Sequence, residues 1–516
     1  MKLTKTLASC SAVLALLTAC GGDSAPMPTP VPPPDPTPTP TPTPTPPPVY
    51  ADAKPGTSAV LWNRCEVMHP GHLQNEQGTQ ADEKGFVRAV TDEVYLWNKE
   101  VPALNATEYP TTVAYFDALK TPLLTASGRP KDRFHFSYPN ETWEALSKGV
   151  ELGYGVTWAA GANKVPRTWG VAIVDAGSAA AAAGVRRGDV LIMVDGVDFI
   201  NRYETSVVAA FNAALYPAKV GERHTLTLWR DGGSFDVTLA AGEVSVAAVQ
   251  NTRVIDTPSG KVGYLTFNSH TAPAEKQLYD AVSTLKTAGV GDLVLDMRYN
   301  GGGQLTTASE LAYMIAGPAA TNGLTFMKYT TNGRLNPGRP TPFIARSQDS
   351  YVAQPLPFGT PLPHLDLKRV TILTSPGTCS ASEALINGLR GIDIDVTLVG
   401  GQTCGKPYAF VPLPNCGTTY FIVQYQGANQ KGQSDFEEGF VPTCKAADDL
   451  GHALGDPAEA MLAQALRLQA GQACATPAAA TALRQGGSTA RAPAPARPEV
   501  MTRLPLKEIA IVPADR

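Results

Sequence analysis

Ser380 stands in the run Thr374-Ser-Pro-Gly-Thr-Cys-Ser-Ala-Ser-Glu383. An apolar strand gives out at Thr374, Pro376-Gly377 turns the chain, and a helix is expected to open at about Ser380. The first turn of a helix carries free backbone N–H groups and the positive end of the dipole, so a serine there lies beside ready-made donors for an oxyanion. The same run also fits an ordinary helix start, with Ser380 or Thr378 as N-cap and Glu383 closing a capping box. A second run, Val399-Gly-Gly-Gln-Thr-Cys-Gly-Lys406, brings a lysine out of a buried strand on a glycine-rich loop rather than on an exposed helix face. A serine hydroxyl needs a base, and a lysine serves if burial lowers its pKa from the usual ~10.4 towards neutrality. In isolation a surface lysine is the commoner outcome. A third run, Leu295-Asp-Met-Arg-Tyr-Asn-Gly-Gly-Gly303, ends a strand in three glycines, which let backbone approach a substrate closely.

Taken in order, strand-Asp-x-Arg-x-Asn-x-Gly-Gly, Ser-Ala-Ser-Glu and Gly-x-x-Thr-x-Gly-Lys resemble the carboxy-terminal processing (tail-specific) serine protease family, over about residues 60–465. The resemblance implies Ser380 as nucleophile, Lys406 as general base, and the N–H groups of Ala381 and Gly302 as oxyanion donors. It implies an α/β core of the ClpP/crotonase-like type, with no metal and no cofactor. Many family members place a glutamine four residues after the lysine to orient it; here that position is Phe410.

The elements that must position these residues follow from periodicity. Residues 246–470 alternate strands and helices: Val262–Phe267, then an amphipathic helix Ala274–Ala288, Leu293–Met297, a helix Thr306–Ala316, Val370–Thr374, the helix from Ser380, and Val396–Val399. That alternation predicts an α/β core with mostly parallel strands. Residues 149–245 are strand-rich with Gly-Asp turns. Gly153-Tyr154-Gly155-Val156 looks like the carboxylate-binding loop of PDZ domains, and the stretch from Gly177 to Gly196 resembles their helix and following strand. Such domains take a peptide C-terminus as an added strand; a domain that only gates the active site is the alternative. Residues 56–148 read as a helical N-terminal domain, with Phe86, Val90, Val94 and Leu96-Trp97 near one helical stripe. The whole is thus an α/β multidomain chain.

Two further spacings suggest other chemistry. Ser283-Thr-Leu-Lys286 matches an SxxK motif but falls mid-helix on the polar side, without the companion motifs. Cys65, His69 and His72 have a spacing a metal could use, although a loop with a disulfide cysteine fits their Pro-Gly context better.

The ends of the 516-residue chain differ from its body. Lys2 and Lys5 precede an apolar run from Leu7 to Ala19, too short to cross a bilayer, and Leu17-Thr-Ala-Cys20 follows. This resembles a lipoprotein signal over residues 1–19 with lipidation of Cys20. Residues 20–55 are a proline-rich tether, whose run from Ser24 to about Val49 would reach roughly 80 Å in polyproline II at ~3.1 Å per residue. Residues 471–516, rich in Ala, Arg and Pro, read as a disordered tail. The expected location is the cell envelope, lipid-anchored, on the periplasmic face of the outer membrane. A net charge of -4 offers no basic face for nucleic acid. Six cysteines besides Cys10 and Cys20 suggest disulfides; Cys379 with Cys404 would brace the site, while Cys404–Cys416 and pairings to Cys444 stay open. The expected function is an endopeptidase acting on proteins or peptides with free C-termini. The rivals are a silent PDZ adaptor lipoprotein and a serine hydrolase of small peptides or esters. Oligomeric state is not legible.

Overall fold

The computed structural model describes residues 57–69, 75–162, 164–348 and 355–475, together with the backbone of 510–511. Cys20, the proline-rich tether and His72 lie outside the described residues.

The core sheet has the strand order β1-β2-β3-β4-β5-β6, where β1 is Val249–Thr257, β2 Gly260–Phe267, β3 Asp292–Asp296, β4 Arg369–Thr374, β5 Asp395–Gly400 and β6 Cys444–Lys445. Strands β2 to β6 run parallel, and β1 pairs antiparallel with β2. Parallel pairing demands crossovers, here α1 (Ala274–Ala288), α2 (Leu305–Ala316) and α3 (Ala381–Gly391). The stripe Leu278, Ala281, Val282 and Leu285 on α1 is buried, and Gly289 ends the helix in the left-handed conformation. Ser283 and Lys286 occupy its outer side. A further helix, α4 (Ala460–Gln469), buries Met461, Leu462 and Ala465 against the opposite face of the sheet with Tyr264, Leu373 and Val399. All the catalytic candidates leave the carboxyl ends of β3, β4 and β5, where an open α/β sheet offers its crevice.

Residues 150–245 form a separate β unit whose sheet ends in Val156–Ala162 as an edge strand. Its core is built on Trp169, Leu191, Phe199, Phe211 and Leu228. Arg187 connects this unit to the protease core. Its guanidinium donates to Asp448 Oδ1 at 2.7 Å and to the Tyr299 hydroxyl at 2.7 Å, as well as to Ala172 O within its own unit.

In the N-terminal part the principal helix is Gln80–Val94, capped by Thr79 and Asp82. It stops before Leu96-Trp97, which the periodicity had placed on its stripe. Tyr95 leaves the helix because its hydroxyl is drawn to buried Asp132 at 2.6 Å, while the Leu96 N–H goes to Val423 O at 2.8 Å. Phe86, Val90 and Phe116 then pack against Tyr408, Tyr420 and Ile422 of the protease core. The disulfide Cys65–Cys416 fastens the same two parts, so Cys65 is not available as a metal ligand. The other pairs are Cys379–Cys404 and Cys444–Cys474. Within 471–516, a two-residue strand at Ala510–Ile511 joins the structure.

Candidate active site

Ser380 caps α3 in an unusual conformation, φ 59° and ψ -113°. A side chain with positive φ costs of order 1 kcal/mol or more, and such strain collects at functional turns. The strain is held by neighbours. The Cys379 N–H donates to Asn300 O at 3.2 Å, the Ser382 hydroxyl to the same carbonyl at 3.1 Å, and the Ser380 N–H to Glu383 Oε2 at 3.0 Å. Ser380 is 1% exposed, and its Oγ has no hydrogen-bond partner among the described residues. Ala381 is the first residue of α3, so its N–H precedes the helical ladder.

The lysine loop is gathered onto the same glutamate. Glu383 Oε1 accepts from the Thr403 hydroxyl at 2.5 Å and from the Gly405 N–H at 2.8 Å, and Oε2 accepts the Lys406 N–H at 2.8 Å. Burial pushes the Glu383 carboxyl above its ordinary pKa, and the donors converging on it oppose that push. Arg133, from the N-terminal part, donates to the carbonyls of Cys404 and Gly405 at 2.9 and 3.0 Å. Gly405 has φ +86°, and a Cβ there would lie 2.2 Å from Glu437 O, so the loop demands glycine. Lys406 is itself buried, with Nζ 4.4 Å from the Phe410 ring centroid and 4.9 Å from that of Phe134. Phe410 therefore supplies an aromatic wall where the resemblance expects a glutamine amide.

The Asp-x-Arg-x-Asn motif shapes the third side. Asp296 Oδ1 accepts from Arg298 Nε at 2.9 Å, and the Arg298 guanidinium forks onto Glu459 at 2.7 and 2.9 Å. Asn300 Nδ2 donates to Phe267 O at 2.9 Å, leaving Oδ1 to accept from the Gly302 N–H at 3.0 Å and from His270 Nδ1, also at 3.0 Å. The Gly302 N–H is thus engaged within its own loop. Gly303, at φ +139°, passes so close to His270 that a Cβ would lie 2.5 Å from the His270 carbonyl oxygen.

A cleft of about 880 Å³ runs from Gly301, Gly302 and Gly303 past His270 to Thr157 and Asp175 of the β unit. Ser380 and Lys406 are not among its lining residues. A second cleft, about 790 Å³, is lined by all of Gly153-Tyr154-Gly155-Val156 together with Leu215 and Tyr216. It lies along the free edge strand. Gly155, at φ +77°, packs where a Cβ would lie 2.2 Å from that of Ser178, and its carbonyl accepts the Asp175 N–H at 2.9 Å.

Cys379, Glu383 and Cys404 also converge closely enough to suggest a metal ligand set. The two sulfurs are bonded to each other and the carboxylate is committed to loop donors, so the cluster is a brace. The sequence presented Glu383 only as a capping partner, and its second task depends on a loop some twenty residues further on. Arg133 gave no sequence signal.

Residues 261–445 match peptidase family S41, residues 170–230 a PDZ domain, and residues 82–138 the peptidase S41 N-terminal domain. The chain is 28% identical over 230 residues to the "Probable CtpA-like serine protease" of Staphylococcus aureus (strain N315), covering 45% of this chain and 40% of that protein. The protein of that name in Staphylococcus saprophyticus is 25% identical over 229 residues, covering 44% and 40%. The chain therefore spans about two fifths of the length of these curated relatives. A candidate S41 protease from Bacteroides fragilis NCTC 9343 has a similar fold, with TM-score 0.56 at 21% identity, over 75% of this chain and 97% of that one. With an S41 N-terminal domain, a PDZ domain and an S41 catalytic domain in that order, the chain belongs to peptidase family S41.

Proposed function

We propose that this protein is a serine endopeptidase that receives protein C-termini on its PDZ domain and cuts peptide bonds with a Ser380–Lys406 dyad. The observation that carries the reading is the buried, unpartnered Ser380 Oγ on a strained turn, fixed through Glu383 to the loop that bears Lys406. Ser380 Oγ attacks the scissile carbonyl while Lys406 Nζ takes its proton, then returns it to the leaving amine. Water deacylates the enzyme by the same route. The Ala381 N–H meets the developing oxyanion. The Gly302 N–H joins it by exchanging its neutral acceptor, Asn300 Oδ1, for a charged and therefore stronger one. The free edge of Val156–Ala162 beside the Gly153–Val156 loop supports strand addition of a chain end.

The enzyme works in this reading at the cell envelope, lipid-anchored through Cys20 to the periplasmic face of the outer membrane. Its support is the apolar run and Leu17-Thr-Ala-Cys20, followed by Gly21. Palmitate should label the wild type, and Cys20→Ser should release soluble protein or leave uncleaved precursor; unlabelled, soluble wild type would remove the anchor.

For the chemistry, the test is degradation of an unfolded protein by the body from about Ala51. Ser380→Ala and Lys406→Ala should each lower the rate by roughly a thousandfold or more while retaining the fold. Robust cleavage by either purified variant would overturn the dyad.

A further inference from the structure

The strand Ala510–Ile511 pairs in parallel with Gly303–Gln304, Ala510 opposite Gly303 and Ile511 opposite Gln304. Gly303 directly follows the proposed oxyanion donor Gly302. The same two residues lie alongside Tyr408–Ala409, a strand that begins two residues after Lys406. The segment thus threads between the glycine-rich loop and the lysine arm, the space a substrate backbone must enter to reach Ser380.

The other edge of Gly303 is already taken by a bridge to His270, so its remaining edge is the one an incoming strand would use. Ser380 and Lys406 are buried and absent from the lining of the open cleft, as expected if a piece of chain covers them. In sequence, Ile509-Ala-Ile-Val512 is a β-branched cluster within a stretch otherwise dominated by Ala, Arg and Pro.

We propose that the strand Ala510–Ile511 is a tethered occupant of this chain's own catalytic cleft, competing there with incoming substrate. The proposal rests on the assignment of that cleft as the proteolytic site. Residues 476–509 make the tether, and at ~3.3–3.6 Å per extended residue their reach does not limit it. A ligand joined covalently to the chain that carries its site meets that site at an effective concentration of order millimolar. Even a weak strand pairing then keeps the cleft mostly filled, and only a chain end concentrated by the PDZ domain would displace it.

The test uses full-length chains carrying Ser380→Ala, so that binding is read without turnover. One has the native segment; the other adds Ala510→Pro and Ile511→Pro, which remove the N–H donors a strand needs. A labelled synthetic peptide of residues 503–516 should bind the double-proline chain at least tenfold more tightly than the native one. Hydrogen exchange around Gly303–Gln304 and Tyr408–Ala409 should quicken in the double-proline chain, while the Gly153–Val156 loop stays unchanged. Equal peptide affinity for the two chains, or exchange that changes only in the Gly153–Val156 loop, would overturn the proposal. With Ser380 restored, the proline pair should lower KM for an added peptide about tenfold at constant kcat. Absence of any turnover would refute the proteolytic reading, whereas the binding and exchange arms decide occupancy by themselves.

Discussion

The backbone N–H groups of Ser380 and Lys406 donate to one and the same oxygen, Glu383 Oε2, at 3.0 and 2.8 Å. Two residues from different strand ends are thereby held with their amide nitrogens within about 6 Å of each other. The tie is made through the backbone N–H groups, so it fixes the two arms by their main chain.

Glu383→Gln should therefore lower kcat by about tenfold or more while KM changes little, because Glu383 would position the proposed dyad without touching substrate. The amide turns one acceptor into a donor facing N–H groups, which should also cost about 3 kcal/mol of stability. Steady-state kinetics below the melting range separate the two effects. An unchanged kcat in the folded variant would make the residue merely structural.

The Cys379–Cys404 bond braces the same two arms and closes a 25-residue loop, worth about 3 kcal/mol by chain entropy. Replacing both cysteines with alanine should lower the melting temperature and kcat together. Replacing Cys444 and Cys474, whose loop is 30 residues, should lower the melting temperature comparably but spare kcat. Paired thermal and kinetic measurements check the contrast.

Burial lowers the pKa of both His135 and His270 to about 4. The unfolded chain, with histidines near 6.5, then binds more protons than the native one between those values, so stability falls as pH drops from about 6.5 towards 4. The full effect is up to about 3 kcal/mol per histidine. Urea melts across that range should show it. His135→Gln should flatten the slope by about half, and an unchanged slope would remove His135 as a contributor.

If the Gly153–Val156 loop holds a terminal carboxylate, an apolar free C-terminus should be cut roughly ten- to a hundredfold faster in kcat/KM than its amidated form. Hydrogen bonds to a charged group are worth about 1.5–3 kcal/mol, and 1.36 kcal/mol is about one decade. Equal rates for the two ends would discard carboxylate reading and leave the dyad intact.

Much of the core was legible because local pattern and tertiary burial agree there. The stripe Leu278, Ala281, Val282, Leu285 marks a helix spanning Ala274–Ala288, and the structure buries that stripe. Where a distant partner intervenes, pattern fails. Tyr95 ends its helix for Asp132, which lies 37 positions later. The three motifs marked the walls of the site, since glycines and a serine at strand ends carry local signals. The reach of Glu383 to Gly405 and of Arg133 to Cys404 did not show, because both depend on which loops meet in space. The same holds for the pairing of Cys65 with Cys416.

That last bond joins positions 351 residues apart, and the whole PDZ domain lies between its two ends. A single cut anywhere from residue 66 to 415 leaves both fragments covalently attached. Such a nicked molecule would run as intact on a non-reducing gel and separate into two only with reductant. A single cut within the span thus becomes a hidden seam in one molecule, and it takes a second cut to release a piece of it.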